Sequence, residues 1–213
     1  MPYTAPDRSV IRGSLARDLR DPDMNTFTEA ELNDLLNYAI VEVGRVYSKQ
    51  QVVEIAVEQD EQNQFSTEAY SVFRVEVIKD SEVIWGIPPN GASDHVEGGY
   101  DLHGGTLFIP RSIASRLTFE GEETLRVWGY WPRETFAEDT DVLDGDAEFE
   151  YGVRTVSVLL GYQRLQNDRV LFQQWMTNTG NTDISPNQLA QTADMYQSQW
   201  REMRNRLRQL QRS

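Results

Sequence analysis

The sequence predicts an α+β protein in which N- and C-terminal helical segments build a bundle and a small antiparallel β-sheet or sandwich is inserted between them. Two observations lead there. The hydrophobic period drops from helical to alternating near residue 51 and returns to helical after residue 132. Each helical arm also carries an apolar face that it cannot bury alone. The expected organisation is a helical arm over 1–50, a β-rich insertion over 51–132, and a helical segment over 133–213 that completes the bundle and ends in an arginine-rich helix. Such an insertion is tolerated because both of its ends can leave one region of the host surface.

The first arm holds a clear helix. Leu32, Leu35, Leu36, Ala39, Ile40, Val43 and Tyr47 follow the i, i+3, i+4, i+7 rule across Thr28 to Tyr47, and Thr28 with Glu31 forms a capping-box pattern. Ahead of it, Val10, Leu15 and Leu19 suggest a shorter helix ended by Asp21-Pro22-Asp23. In the insertion, Val53, Ile55 and Val57 alternate with Glu54, Ala56 and Glu58, while Phe73, Val75 and Val77 alternate with Arg74 and Glu76. Further strands are expected at Val83 to Ile87, Thr106 to Ile109, Leu117 to Phe119 and Thr124 to Trp131. Turn-forming residues such as Pro88-Pro89-Asn90-Gly91 and Gly104-Gly105 lie between them.

Helical spacing resumes after the acidic loop of residues 138–145. Phe149, Val153, Val156 and Leu160 mark one face, widened by Val158 and Leu159, and the apolar spacing runs on through Leu165, Phe172 and Trp175 until Gly180-Asn181. The last helix starts with Ser185 as N-cap, Pro186 at the first helical position and Gln188 as capping-box partner. Its packing seam is Leu189, Ala193, Tyr196, Trp200, Met203, Leu207 and Leu210, alternating steps of four and three, the 3.5-residue period of a narrow stripe that needs a helical partner.

Composition narrows the chemistry. The chain has no cysteine, which excludes thiol nucleophiles and cysteine-bearing metal or iron–sulfur sites. It has two histidines, His95 and His103, near Asp94, Glu97 and Asp101 in a turn-rich stretch. The group could hold a metal, but its spacing matches no ligand pattern, and turn chemistry explains the same residues. Asp139, Asp141, Asp144 and Asp146 fail the calcium-loop spacing, because Thr140 and Val142 fall where ligands belong. They read as a solvated linker whose last acids favour the following helix start. No P-loop, Gly-x-Ser-x-Gly or His-Glu-x-x-His pattern occurs. The expectation is a non-enzyme without cofactor or metal.

Trp85, Tyr100, Trp128, Tyr130 and Trp131 could line a platform for sugar or single-stranded nucleic acid. Leu125, Val127 and Trp131 are expected to share one strand face, with Trp128 and Tyr130 straddling both. The start, from Met1 to Asp23, has no apolar core of a signal peptide, and no run approaches the roughly 18–20 apolar residues of a membrane span. A soluble protein made in the cytoplasm is expected.

Charge is unevenly placed. The net charge is −14, yet Trp200 to Ser213 contains Arg201, Arg204, Arg206, Arg208 and Arg212 against Glu202 alone. Helix-dipole complementarity accounts for one or two cations at a helix end, not five. A basic, heptad-patterned tail on an acidic body suggests docking onto an acidic neighbour or DNA phosphate.

The whole layout resembles the head-to-tail adaptor (connector) proteins of tailed double-stranded DNA bacteriophages. The resemblance rests on Phe27-Thr28-Glu29-Ala30-Glu31-Leu32-Asn33 opening a helix that continues through Asn37-Tyr38-Ala39. It rests also on Tyr130-Trp131-Pro132 closing the β part, on the stretch from Leu143-Asp144 to Glu150 leading into an apolar helix, and on the closing helix with Tyr196, Trp200 and its arginines. It implies a structural virion protein of the neck, synthesised in the host cytoplasm. Such a protein forms a homo-oligomeric ring, commonly a dodecamer, that joins the portal protein to a downstream neck or tail protein. DNA passes transiently through the ring during ejection, and no membrane is involved. The portal-docking candidates are then Arg201, Arg204, Arg206, Arg208, Trp200 and Tyr196, and the helical packing seam is Leu189, Ala193, Met203, Leu207 and Leu210. Another neck component, such as a stopper or tail-completion protein, and a β-sandwich binding module are the competing readings. The β insertion departs from adaptors that are little more than a helical bundle.

Overall fold

The computed structural model describes residues 3–57, 63–90, 99–114, 117, 123–180 and 184–211. The protein is α+β, with helices and antiparallel sheets. It divides into two compact units, a helical one of residues 1–48 and 133–213 and a β-rich one of residues 49–132, each with its own apolar core.

The helical unit is organised around α4 (Ala147–Asn167), which packs on α1 (Arg8–Asp18), α2 (Glu29–Gly44), α5 (Arg169–Thr179) and α6 (Pro186–Leu210). Two glycines let neighbours come close. A Cβ at Gly152 would lie 3.0 Å from Val43 Cγ1, and one at Gly161 only 2.6 Å from Leu19 Cδ2. The α2 capping box is formed as the sequence predicts, with Thr28 accepting from the Glu31 amide and Glu31 accepting from the Thr28 amide. In α1 the buried stripe is Ile11, Leu15 and, just beyond its end, Leu19, a strict i, i+4, i+8 row. Val10, expected on that face, is 54% exposed because it stands one residue out of step.

The expected run-on of α4 through Phe172 and Trp175 is corrected. Phe172 lies seven residues beyond Leu165, so the apolar spacing carries across the break, but the backbone does not. Asp168 turns extended and its carboxylate accepts from the Val170 and Leu171 amides, starting α5 as a new helix. The kink lets Trp175 reach back, fully buried, to donate its indole N–H to the Leu19 carbonyl at 2.7 Å. Gly180, at φ +64°, ends α5 in the left-handed conformation.

The β unit has a four-stranded antiparallel sheet in the order β1 (Lys49–Ala56), β7 (Glu123–Trp131), β3 (Ser71–Lys79), β4 (Glu82–Ile87). A second, three-stranded sheet runs β2 (Gln64–Ser66), β6 (Thr106–Phe108), β5 (Asp101–His103), with one helical turn, α3 (Arg111–Ala114), following β6. Phe65 and Leu107 of the small sheet share one core with Val75, Val77, Leu125, Val127 and Trp131 of the large one. The β3–β4 hairpin turns through Asp80 and Ser81, both at positive φ (51° and 67°).

Two strand expectations change. Phe73 does not share a face with Val75 and Val77: the β3–β7 register shifts between Val72 and Arg74, so Val72 packs on the core and Phe73 is left 46% exposed. Trp128 and Tyr130 do not straddle two faces either. In β7 every odd residue from Glu123 to Trp131 is buried and every even one partly exposed, so both lie on the face away from the core. Of the strand expected at Leu117 to Phe119, Leu117 is a buried bend and residues 118 and 119 lie outside the described residues.

Candidate functional site

The best-defined candidate surface is the second half of α6. Ser185 and Gln188 form the predicted capping box and Pro186 opens the helix, which then runs 25 residues, about 37 Å. Leu189, Ala193, Trp200, Met203 and Leu207 are buried, mostly against α4. Tyr196 is half-buried and stacks on Tyr162, ring centroids 5.8 Å apart and planes 19° off parallel. The seam therefore finds its helical partner inside the same unit, except for Leu210, which is 41% exposed.

This sorts the docking candidates. Trp200 is buried in the intramolecular core, and Tyr196 packs against that core while remaining partly exposed. Arg201, Arg204, Arg206 and Arg208 are all exposed. Arg206 pairs with Glu148 of α4. Arg201, Arg204 and Arg208 stand at i, i+3, i+7, one row along the helix, and have no hydrogen-bond or ion-pair partner among the described residues. Arg212 lies outside the described residues.

The other charged groups are mostly consumed by structure. The loop of residues 138–145 is not a solvated linker but a set of fasteners. Asp139 accepts from Arg8 (2.9 Å) and Arg12 (2.7 Å), which holds its carboxyl below the usual carboxylate range. Asp141 accepts from the Ala137 and Glu138 amides, which lowers it likewise. Asp146 caps α4 and accepts from the Tyr47 hydroxyl. Where the chain returns to the helical unit, the Arg133 guanidinium donates to the Tyr47 and Asp144 carbonyls and lies 4.5 Å from the Phe149 ring centre. Burial pulls Arg133 below the usual arginine value, while Asp144 and Asp146 favour its charged form. Sequence reading did not single out this residue, since a lone arginine after a Pro carries no pattern.

In the β unit, His103 is exposed and pairs with Asp101 at 2.9 Å. His95, Asp94 and Glu97 lie outside the described residues, and among the described residues no three metal-ligating side chains converge. The aromatic set divides. Tyr100 and Trp131 are buried, Trp131 donating to the Thr67 carbonyl, and Trp85 packs on the core. Trp128 is flanked by Arg74 and Arg126, whose guanidinium carbons lie 4.8 and 5.8 Å from its ring. Those arginines pair in turn with Glu76 and Glu54. Tyr130 leans on Phe73 at 5.6 Å. A ring already stacked by guanidinium groups is a poor stacking platform for a sugar or a base.

No protein-family model matches the chain, and a search of curated proteins finds no match. Among the described residues no helix is long and apolar enough to cross a membrane.

Proposed function

We propose that the chain is a structural protein of the bacteriophage neck, a head-to-tail adaptor whose ring joins the portal to the tail and continues the DNA channel. The observation that carries this reading is the row Arg201, Arg204, Arg208. Three exposed arginines without partners among the described residues flank the seam of a helix that is locked into the core through Trp200, Met203 and Leu207, in a protein carrying −14 overall. A cationic row held rigidly on an acidic body is preorganised to dock on an acidic neighbour, here the portal ring. The chain ahead of Trp200, with net −18, lines a channel that repels DNA phosphate and lets the genome slide. The protein works without chemistry of its own and resides in the virion after synthesis in the host cytoplasm.

The test is charge reversal, not truncation. Removing residues 201–213 would also remove the buried Met203 and Leu207 and damage the helical unit. Replacing Arg201, Arg204 and Arg208 together by Glu leaves the seam intact. This variant is expected to keep its helical circular dichroism and lose binding to purified portal rings at physiological salt, while wild-type binding weakens as salt rises. Unchanged binding by the triple variant would overturn the docking assignment.

A further inference from the structure

Two other surfaces of the helical unit fit each other but cannot meet within one chain. The first is the outer side of α2. Ala30, Asp34, Tyr38 and Val41 stand at i, i+4, i+8, i+11, on the side opposite the buried Leu32, Leu36, Ala39, Ile40 and Val43. Tyr38 is 61% exposed and Val41 38%, an aromatic and an aliphatic side chain one turn apart on a face that points away from α4. Asp34 sits one turn before Tyr38 and has no ion-pair or hydrogen-bond partner among the described residues.

The second surface is a groove of about 810 Å³ where the end of α4, the length of α5 and the start of α6 converge. Leu165, Phe172, Met176 and Leu189 give it an apolar floor, and Arg169 and Gln173 stand on its wall. Arg169 is exposed and has no partner among the described residues. The groove lies beside the break at Asp168, where Arg169, Phe172, Gln173 and Met176 of α5 join Leu165 of α4 and Leu189 of α6 in lining it. No residue of α2 lines it.

We infer that the groove of one copy receives the α2 stripe of a second copy, with Tyr38 and Val41 seated on the apolar floor and Asp34 paired with Arg169. The stripe supplies anchors at the spacing by which an amphipathic helix enters an apolar groove. One unpaired carboxylate meets one unpaired guanidinium, which fixes the direction of the bound helix. Because the two surfaces differ and point outward from different sides of the unit, the contact is heterologous. Each copy offers one stripe and one groove, and repetition generates a ring or an open chain, not a closed dimer. The inference deepens the adaptor reading by naming the surfaces that build its ring.

The absence of cysteine makes the test clean. The full chain carrying Ala30→Cys and Gln166→Cys together, which leaves Tyr38, Val41, Asp34 and Arg169 in place, is oxidised in two preparations, free in concentrated solution and bound to portal rings. A heterologous contact yields a reducible ladder of covalent trimers, tetramers and higher species, whereas either single variant stops at the dimer. Adding Asp34→Arg is expected to lower the ladder yield about tenfold, and adding Arg169→Asp to that variant to restore it. A ladder in free protein that fails to bind portals supports the contact and counts against the neck reading. A regular collar on portals that gives no ladder overturns the contact and leaves the neck reading standing. No ladder in either preparation overturns the contact whatever the portal result.

Discussion

The two units of this protein are held together in different ways. In the helical unit, charged pairs join segments far apart in the chain: Arg12 to Asp139, Arg154 to Asp18, Arg164 to Glu31 and Arg206 to Glu148. The Asn37 side-chain amide likewise holds the Phe136 backbone, donating to its carbonyl and accepting from its N–H. In the β unit the pairs Arg126 to Glu54 and Arg74 to Glu76 act across or along neighbouring strands, and one sheet is built from strands of three residues each. The helical unit is thus fastened by side-chain contacts between segments that share no backbone ladder. The β unit depends on strand register and a shared apolar core.

Substitutions in one unit should leave the other unit's unfolding transition in place. The largest effect is expected from Trp175→Ala, which empties a fully buried site and removes the donor to the Leu19 carbonyl. It should cost about 3–5 kcal/mol. Followed by thermal circular dichroism, the helical transition should fall steeply while the β transition stays in place; equal shifts in both would show the units unfolding as one. The converse variant is Leu125→Ala in the β core, where a fully buried leucine should cost about 3 kcal/mol. Here the β signal should move and the helical one should not.

Acid should separate the units further. Asp7, Glu31, Asp139 and Asp141 all belong to the helical unit and all have their carboxyls lowered. For Glu31 burial works in the opposite direction but is outweighed by hydrogen bonds from Thr28 and by Arg164. A carboxylate lowered on folding contributes stability above its ordinary value and loses it as pH falls through the folded value. The helical transition should therefore drop in temperature below about pH 4, and more than the β transition does. The smallest expected effect is a gain. Replacing Asp80-Ser81, both left-handed, by Asn-Gly suits that turn and should raise the β transition by about 0.5–1 kcal/mol, with the helical one unmoved.

The same contrast explains what could be read from sequence. The helices were legible because one-sided stripes such as Leu32 to Val43 extend over several turns, and the caps Thr28 and Ser185 are local chemistry. The α4–α5 break was not, because Leu165, Phe172 and Trp175 keep helical spacing across Asp168 and no glycine or proline marks the kink. Strands β1, β3 and β7 show alternation long enough to detect and β4 is a short apolar run ahead of Pro88-Pro89, whereas β2 and β5 span three residues each and carry no usable period. The bulge at Phe73 reverses the pattern at a single residue, which alternation cannot reveal. The arginine row was visible as charge on a helix. The α2 stripe and the groove were not, since Tyr38 and Val41 read as ordinary surface residues and the groove is lined from three separate helices.

The proposed role requires this protein to build a ring on a portal. Purified chain mixed with intact portal rings, fractionated by size and imaged by electron microscopy, tests it most directly. The account predicts a regular collar of subunits on one end of the portal, lost when Arg201, Arg204 and Arg208 are replaced by Glu. Intact portals that emerge bare from the mixture would contradict it.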